Sequence, residues 1–360
     1  MWQLVRFNFG RNNAHFGELG IGMEETSERV YSDTLFSAWV SSYARLFGAE
    51  DVAQLLAKFP SGENQDDPPF RVSSTFIYSK KGESEYIYYV PKPLAYPQGY
   101  PVGDDLKFTK TYKKLKYLPL EIWRRWYQEK DFTDKDKQEL IAYTNKDKKD
   151  KDKKDKDKKD LEDSGTFSYG DTHKFYSVPK VAIDRNTHAA NIYHTGFVQY
   201  QWESNQKSGL YFLIKLSDED KETESKLKAS LRLLGEEGLG GERSNGAGRF
   251  EAEFLDLPEL WNDVINFKST HHSLISLFWA NLTLESAPSS YSLLERGGWI
   301  TSSGKQLRRK NIRMFGEGSI FKNMPQGQLA DVTPDQFKAY RVYRSGISLS
   351  LPIIIQNPEL

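Results

Sequence analysis

The stretch SDTLFSAWVSSYARLFG, residues 32–48, decides how this 360-residue chain begins to fold. Leu35, Phe36, Trp39, Val40, Tyr43, Leu46 and Phe47 recur at three- and four-residue steps, which lays an apolar stripe along one helix face. Ser32 or Asp33 is placed to cap that helix and Gly48 to stop it; a second short helix is expected over residues 50–59. Upstream, residues 1–9 mix aromatic, aliphatic and polar side chains as a strand does, and Gly10 to Gly22 forms a Gly-rich connection that fits neither period. Downstream, Val72–Tyr78 and Tyr86–Val90 read as a hairpin turning at Lys80–Ser84.

Strand, helix, strands is the opening of a ferredoxin-like or RRM-like unit. Further along, Leu120, Trp123 and Trp126 or Tyr127 mark a short amphipathic helix, and Ser177–Ile183, Gly196–Trp202 and Leu210–Leu216 are strand candidates. Ser217 with Asp218–Asp220 opens a helix carrying Leu227, Leu231 and Leu234, and Arg249–Leu257 alternates as a half-buried strand. Ser273–Leu284, Trp299–Ser303, Ile312–Phe321 and Ile347–Ile355 supply more strands. Between the halves, Lys146–Asp160 contains only Lys and Asp, so nothing there offsets the entropy of ordering it. The expected fold class is therefore α+β: two ferredoxin-like domains in tandem, residues 1–145 and 161–360, with Gly-rich loops, a basic hairpin and a low-complexity insertion at 146–160.

Composition excludes several classes of function. Hydrophobic residues make up 38% of the chain, enough for substantial cores, while Lys+Arg and Asp+Glu are 50 each, so only local clusters can advertise a polyanion partner. The absence of cysteine removes thiol catalysis, thiolate metal sites and disulfides, and fits a reducing cytosol. The N-terminal MWQLVRFNFG lacks the pattern of an export signal, and no stretch is apolar enough to span a bilayer, so a cytoplasmic protein without a membrane partner is expected.

Two segments carry the chemistry. Gly238-Leu-Gly-Gly-Glu-Arg-Ser-Asn-Gly-Ala-Gly-Arg-Phe250 can bring backbone N–H groups to a phosphate, with Arg243, Ser244 and Arg249 adding hydrogen bonds around Gly240, Gly241, Gly246 and Gly248. It lacks the Lys-Ser/Thr of an NTPase loop and precedes a strand where dinucleotide folds need a helix, so ATP and NAD are excluded as cofactors; the alternative is a surface loop without a ligand. Lys305, Arg308, Arg309, Lys310 and Arg313 form a basic segment flanked by Gly297, Gly298 and Trp299, a mixture that suits single-stranded RNA; the alternative is a solvated basic hairpin. In a third basic-aromatic stretch, Lys107 to Arg125, the tryptophans read as core anchors. The six histidines show no metal-ligand spacing and the acids no compact set, so no metal site is expected; His15, with Gly10 and Arg11 nearby, is a contact to RNA or, alternatively, the general base of a metal-independent ribonuclease.

Phe9-Gly-Arg-Asn-Asn-Ala-His-Phe-Gly-Glu18, Ser32-Asp-Thr-Leu-Phe-Ser-Ala38, Ala182-Ile-Asp-Arg185, the Gly238–Phe250 loop and Tyr343-Arg-Ser-Gly-Ile347, in that order, resemble the RAMP superfamily. Within it the chain is most similar to the fourth subunit of the Csm, or type III-A, CRISPR effector complex. That resemblance implies a noncatalytic scaffold that holds the 5′ tag of crRNA and stands between the large HD/Palm signature subunit and the first backbone RAMP subunit, with no direct DNA contact. It adds Arg185 to the RNA-binding residues expected here. The repeat-processing ribonucleases of the same superfamily are the competing reading.

Overall fold

In a computed structural model the described residues are 1–17, 22–62, 66–82, 85–101, 106–146, 160–203, 206–217, 221–280, 288–302 and 305–356. Residues 147–159 of the Lys/Asp tract and the helix-opening Asp218–Asp220 lie outside them.

Six elements form the centre of the molecule: β1 (Trp2–Asn8), α1 (Ser32–Ala57), β2 (Phe76–Lys81), β3 (Gln206–Leu216), α2 (Lys221–Glu237) and β4 (Glu251–Leu255). Their spatial order across the sheet is β4-β1-β3-β2, and every pairing is antiparallel. Glu85–Pro91 extends the sheet beyond β2 by a hairpin that pairs Tyr78 with Tyr88, and Tyr117–Pro119 lies beyond that strand. β1 and β3 are buried over most of their length, and in β3 the buried stretch Leu210–Ile214 is a continuous apolar run, as in a strand covered on both faces.

Helix α1 follows the spacing read from its sequence. Leu35, Phe36, Trp39 and Tyr43 are buried, Leu46 is exposed, and Gly48, at φ +86°, breaks the helix into two arms. A side chain at Gly48 would be strained, which is why glycine stands there. The expected cap is a correction: the helix starts after Tyr31 without a side-chain cap, and Ser32 and Asp33 lie in its first turn. Both are buried and aimed elsewhere, the Ser32 hydroxyl accepting the Leu277 N–H at 2.9 Å. Trp39 packs on Phe70 and Phe212 and donates its indole N–H to the Leu227 carbonyl of α2 at 2.9 Å, tying the two helices. Trp123 and Trp126 are fully buried, anchoring helix Leu120–Tyr127 as their spacing implied.

The boundary expected near residues 146–160 does not divide this sheet. β3 and β4, from beyond the Lys/Asp tract, flank β1 on both sides, and residues 82–205 are an insertion between the neighbouring strands β2 and β3. Most of the insertion's length beyond residue 172 is a two-stranded ribbon, His173–Ile183 with Ala190–Tyr200, whose Asp184–Ala189 turn is exposed.

After α2 and β4, helix Glu259–Asn266 leads to a second, four-stranded antiparallel sheet: β5 (His271–Leu274), β6 (Pro288–Ser290), β7 (Ile320–Lys322) and β8 (Ser350–Ile353), in the order β6-β7-β5-β8. Among the described residues no helix follows Asn266. Ile275, Ile320, Leu349, Leu351 and Ile353 belong to the same apolar cluster as Leu4 and Trp39, so the two sheets share one core. Polar groups stitch the seam: the buried Arg71 guanidinium donates to the carbonyls of Gln326 at 2.9 Å and Ser348 at 3.1 Å.

Candidate nucleic-acid interface

The 9–17 connection runs between the ribbon and the Gly-rich loop and is bonded to both. Ala14 exchanges hydrogen bonds with Val198 at 2.9 and 2.8 Å, Gly241 N–H reaches the His15 carbonyl at 2.8 Å, and Gly248 N–H the Asn13 carbonyl at 2.6 Å. Within the loop, Leu239 N–H bonds to Gly248 and Gly246 N–H to Arg243. Lys180 of the ribbon pairs with Glu242, and that bond, more than the accompanying contacts, holds the Glu242 carboxyl below its ordinary range.

These bonds correct the phosphate-cradle reading of the glycines. The N–H groups of Gly238, Gly241, Gly246 and Gly248 already have carbonyl partners inside the protein. The residues at 240 and 241 are glycine because a Cβ would run into His15: at Gly241 it would stand 2.7 Å from the imidazole Cδ2, and at Gly240 2.9 Å from the Phe16 ring while overlapping the His15 carbonyl. His15 itself is buried, and its Nδ1 meets the Gly196 carbonyl at 2.7 Å. A carbonyl only accepts, so the ring proton sits on Nδ1 and the imidazole braces the loop. A buried, bonded ring is poorly placed to take a proton from a ribose hydroxyl.

What the loop offers outward is side chains. Arg243, Ser244 and Arg249 are exposed. The structure separates them: Arg249 borders a shallow depression with Gly10, Arg11, Glu236 and Glu251, where the signs are mixed and Arg11 lies 4.1 Å from the Trp202 ring centroid. Arg243, with Gly240 and Gly241, faces a different groove.

That groove, about 400 Å³, runs between the Gly-rich loop, the first turns of α1 and the Gly297–Trp299 segment of the second sheet's unit. It brings Arg309 of the basic segment to the Gly-rich loop. Arg308 and Arg313 are exposed but do not line it, Lys310 pairs with Asp335 at 2.8 Å, and Arg185 sits on the exposed ribbon turn.

The groove's deepest charges escaped the sequence reading. Asp33, fully buried, pairs with Arg296 through both carboxylate oxygens at 3.0 and 3.1 Å and also with Arg344. Burial alone would push the Asp33 carboxyl up, but the two guanidinium groups outweigh it and hold it below its ordinary value. Arg309 stands close by without an ion pair among the described residues; burial and the neighbouring Arg344 pull its pKa down. The Nε donors of Arg309 and Arg344 are buried with no hydrogen-bond partner. Arg45, whose charge Glu237 balances, and Arg243 complete the lining. Five guanidinium groups thus oppose two carboxylates, Glu237 and Asp33, leaving an excess of positive charge beside the half-exposed ring of Trp299. Two of the segments quoted from the sequence, 32–38 and 343–347, meet here, but only folding shows that their charges oppose each other.

Among the described residues no cluster of three His, Asp or Glu is arranged to hold a metal, and no helix is long and apolar enough to cross a membrane. The family model of the CRISPR Csm4 C-terminal domain matches residues 268–353, the second sheet's unit. Over 342 residues the chain is 31% identical to the CRISPR system Cms protein Csm4 of Methanocaldococcus jannaschii, covering 89% of this chain and 85% of that one. The chain belongs to the Csm4 family. Its fold is that of a chain in the crystal structure of a Csm3-Csm4 subcomplex in the type III-A CRISPR-Cas interference complex, with a TM-score of 0.61, 24% identity and coverage of 98% and 99% of the two chains. A Csm1-Csm4 cassette crystallised with AMPPNP gives a TM-score of 0.50 at 19% identity, covering 99% and 100%.

Proposed function

We propose that the chain is an RNA-binding scaffold subunit of a type III CRISPR interference complex, and that its arginine-lined groove holds the 5′ tag of crRNA in antiviral defence. The observation that carries this reading is the surplus of guanidinium groups at the groove, where Arg309 has no ion pair among the described residues. An unpaired buried cation is costly unless something anionic completes it, and a phosphate strand supplies both charge and acceptors. Trp299 adds a face for an unstacked base. The partners follow the family relationship: a large HD/Palm subunit, corresponding to Csm1 of the cassette, and a backbone RAMP subunit, corresponding to Csm3 of the subcomplex. The order β4-β1-β3-β2 supports reading residues 1–257 as the first ferredoxin-like unit, with 268–353 as the partner unit that closes the groove.

The Arg243→Ala, Arg309→Ala double variant tests the reading by fluorescence anisotropy with tag-bearing guide RNA. Its affinity falls about 10- to 100-fold and the slope of log affinity against log salt flattens by about 1 to 1.5, since each single-strand phosphate contact contributes about 0.7. Unchanged affinity and slope would remove the groove from the interface. Specific cleavage of repeat RNA in EDTA, lost on His15→Ala, would instead favour the ribonuclease.

A further inference from the structure

A second pocket, about 450 Å³, opens between the Pro91–Tyr96 segment, helix Leu106–Lys114 and Tyr117, and shares no lining residue with the RNA groove. It uses the basic-aromatic stretch that the groove leaves idle. One wall is aromatic: Tyr96, 42% exposed, stacks on Tyr100 with ring centroids 4.3 Å apart and leans on Tyr112 at 5.8 Å. The cations are Lys92, Lys113 and Lys116.

Lys92 is the unusual one. The flanking Pro91 and Pro93 stiffen its backbone, and its N–H is bonded to the Lys116 carbonyl at 2.9 Å. Its Nζ sits 3.7 Å from the Tyr112 ring centroid and donates to the Tyr112 carbonyl, which uses one of three donors. Among the described residues no carboxylate pairs with it. Glu317, the acid on the pocket lining, is engaged by both guanidinium nitrogens of the buried Arg29. Burial, and then the proximity of Lys113, pull the Lys92 pKa down to about 7. An ammonium group over the Tyr112 ring, with Lys113 near enough to lower its pKa and the lining acid Glu317 already engaged by Arg29, forms an arrangement that an anion completes.

We propose that this pocket binds a nucleotide unit, its base stacked against Tyr96 and its phosphate held by Lys92 and Lys113, with Lys116 at the rim. The unit is a free mononucleotide or one residue of an RNA strand; the chemistry is the same.

Calorimetric titration of the full chain with adenosine 5′-monophosphate tests this. Binding is expected at about pH 6 and should weaken about tenfold or more by about pH 8.5, as Lys92 passes from mostly charged to mostly neutral. Arg29, raised by the adjacent Glu317, stays charged over that range and the phosphate gains charge through its second pKa near 6, so simple attraction would move the affinity the other way. Lys92→Met should lower the affinity about tenfold at the lower pH and abolish the pH dependence; Lys113→Glu, at an exposed position, should weaken it comparably without disturbing the core. A short single-stranded RNA identifies the source, since weakened RNA binding by Lys92→Met assigns the pocket to a strand and unchanged RNA binding assigns it to the free nucleotide. No heat with the monophosphate at about 1 mM, the level at which even a weak site worth about 4 kcal/mol half-fills, or an affinity indifferent to both substitutions, overturns the proposal. Neither result touches the Arg243 and Arg309 test.

Discussion

The Asp33→Ala protein melts well below its parent, by an amount corresponding to about 3–5 kcal/mol, the usual cost of stranding buried charge. Asp33 is the single buried carboxylate between Arg296 and Arg344, and both guanidinium groups are about 95% buried. Removing it leaves two like charges, with Arg309 close by, in a site shielded from water. At about 2 °C per kcal/mol for a chain of this size, thermal denaturation should show a drop of roughly 6–10 °C. Adding Arg344→Met to Asp33→Ala should recover part of the loss, because the second change removes a repelling charge; the two effects are then less than additive. The pH dependence has a definite sign. The folded carboxyl titrates below its unfolded value of about 3.9, so its stabilisation is present above that pH and fades as the pH falls through the folded pKa. Parent and Asp33→Ala melting curves should therefore converge in acid. A loss under about 1 kcal/mol at neutral pH would mean that the triad does not join α1 to the second unit.

Local periodicity made part of this fold legible. The apolar steps from Leu35 to Tyr43 place α1, Gly48 ends its first arm, and the Tyr78–Tyr88 hairpin lies where its strand pattern put it. Pairing over long separations is not written in any local window. β1 lies between β3 and β4, more than two hundred residues away, and the conspicuous Lys/Asp tract marks a place inside an insertion, not a boundary. The site divides the same way. Glycine clustering identified the loop and basic clustering found Arg309, because both are statements about composition. The pairing of Asp33, read from the sequence as a cap, with Arg296 and Arg344 remained invisible, since charges are mostly surface residues and only burial turns these three into a structural unit. Gly-rich sequence also carries two meanings, ligand approach and chain-on-chain packing, which only the neighbours of each Cα separate.

Gly248→Ala should cost about 3 kcal/mol or more, whereas Gly246→Ala, two residues away, should cost only about 1. Both glycines have positive φ, +76° and +83°, so each alanine bears similar backbone strain. The surroundings differ. At Gly246 a new Cβ meets nothing within 4 Å, while at Gly248 it overlaps the Leu239 carbonyl oxygen and stands 2.9 Å from the Leu239 nitrogen. Relief would require the loop to open, breaking the Gly248 to Asn13 and Leu239 to Gly248 hydrogen bonds that press it onto the 9–17 connection. The expected signature is a lowered melting temperature for Gly248→Ala together with faster amide exchange over residues 12–16, and a near-parental Gly246→Ala protein. Equal effects at the two positions would show that the glycines answer to backbone conformation alone, and that the close approach of Gly248 to Leu239 is not what holds the loop against the 9–17 connection.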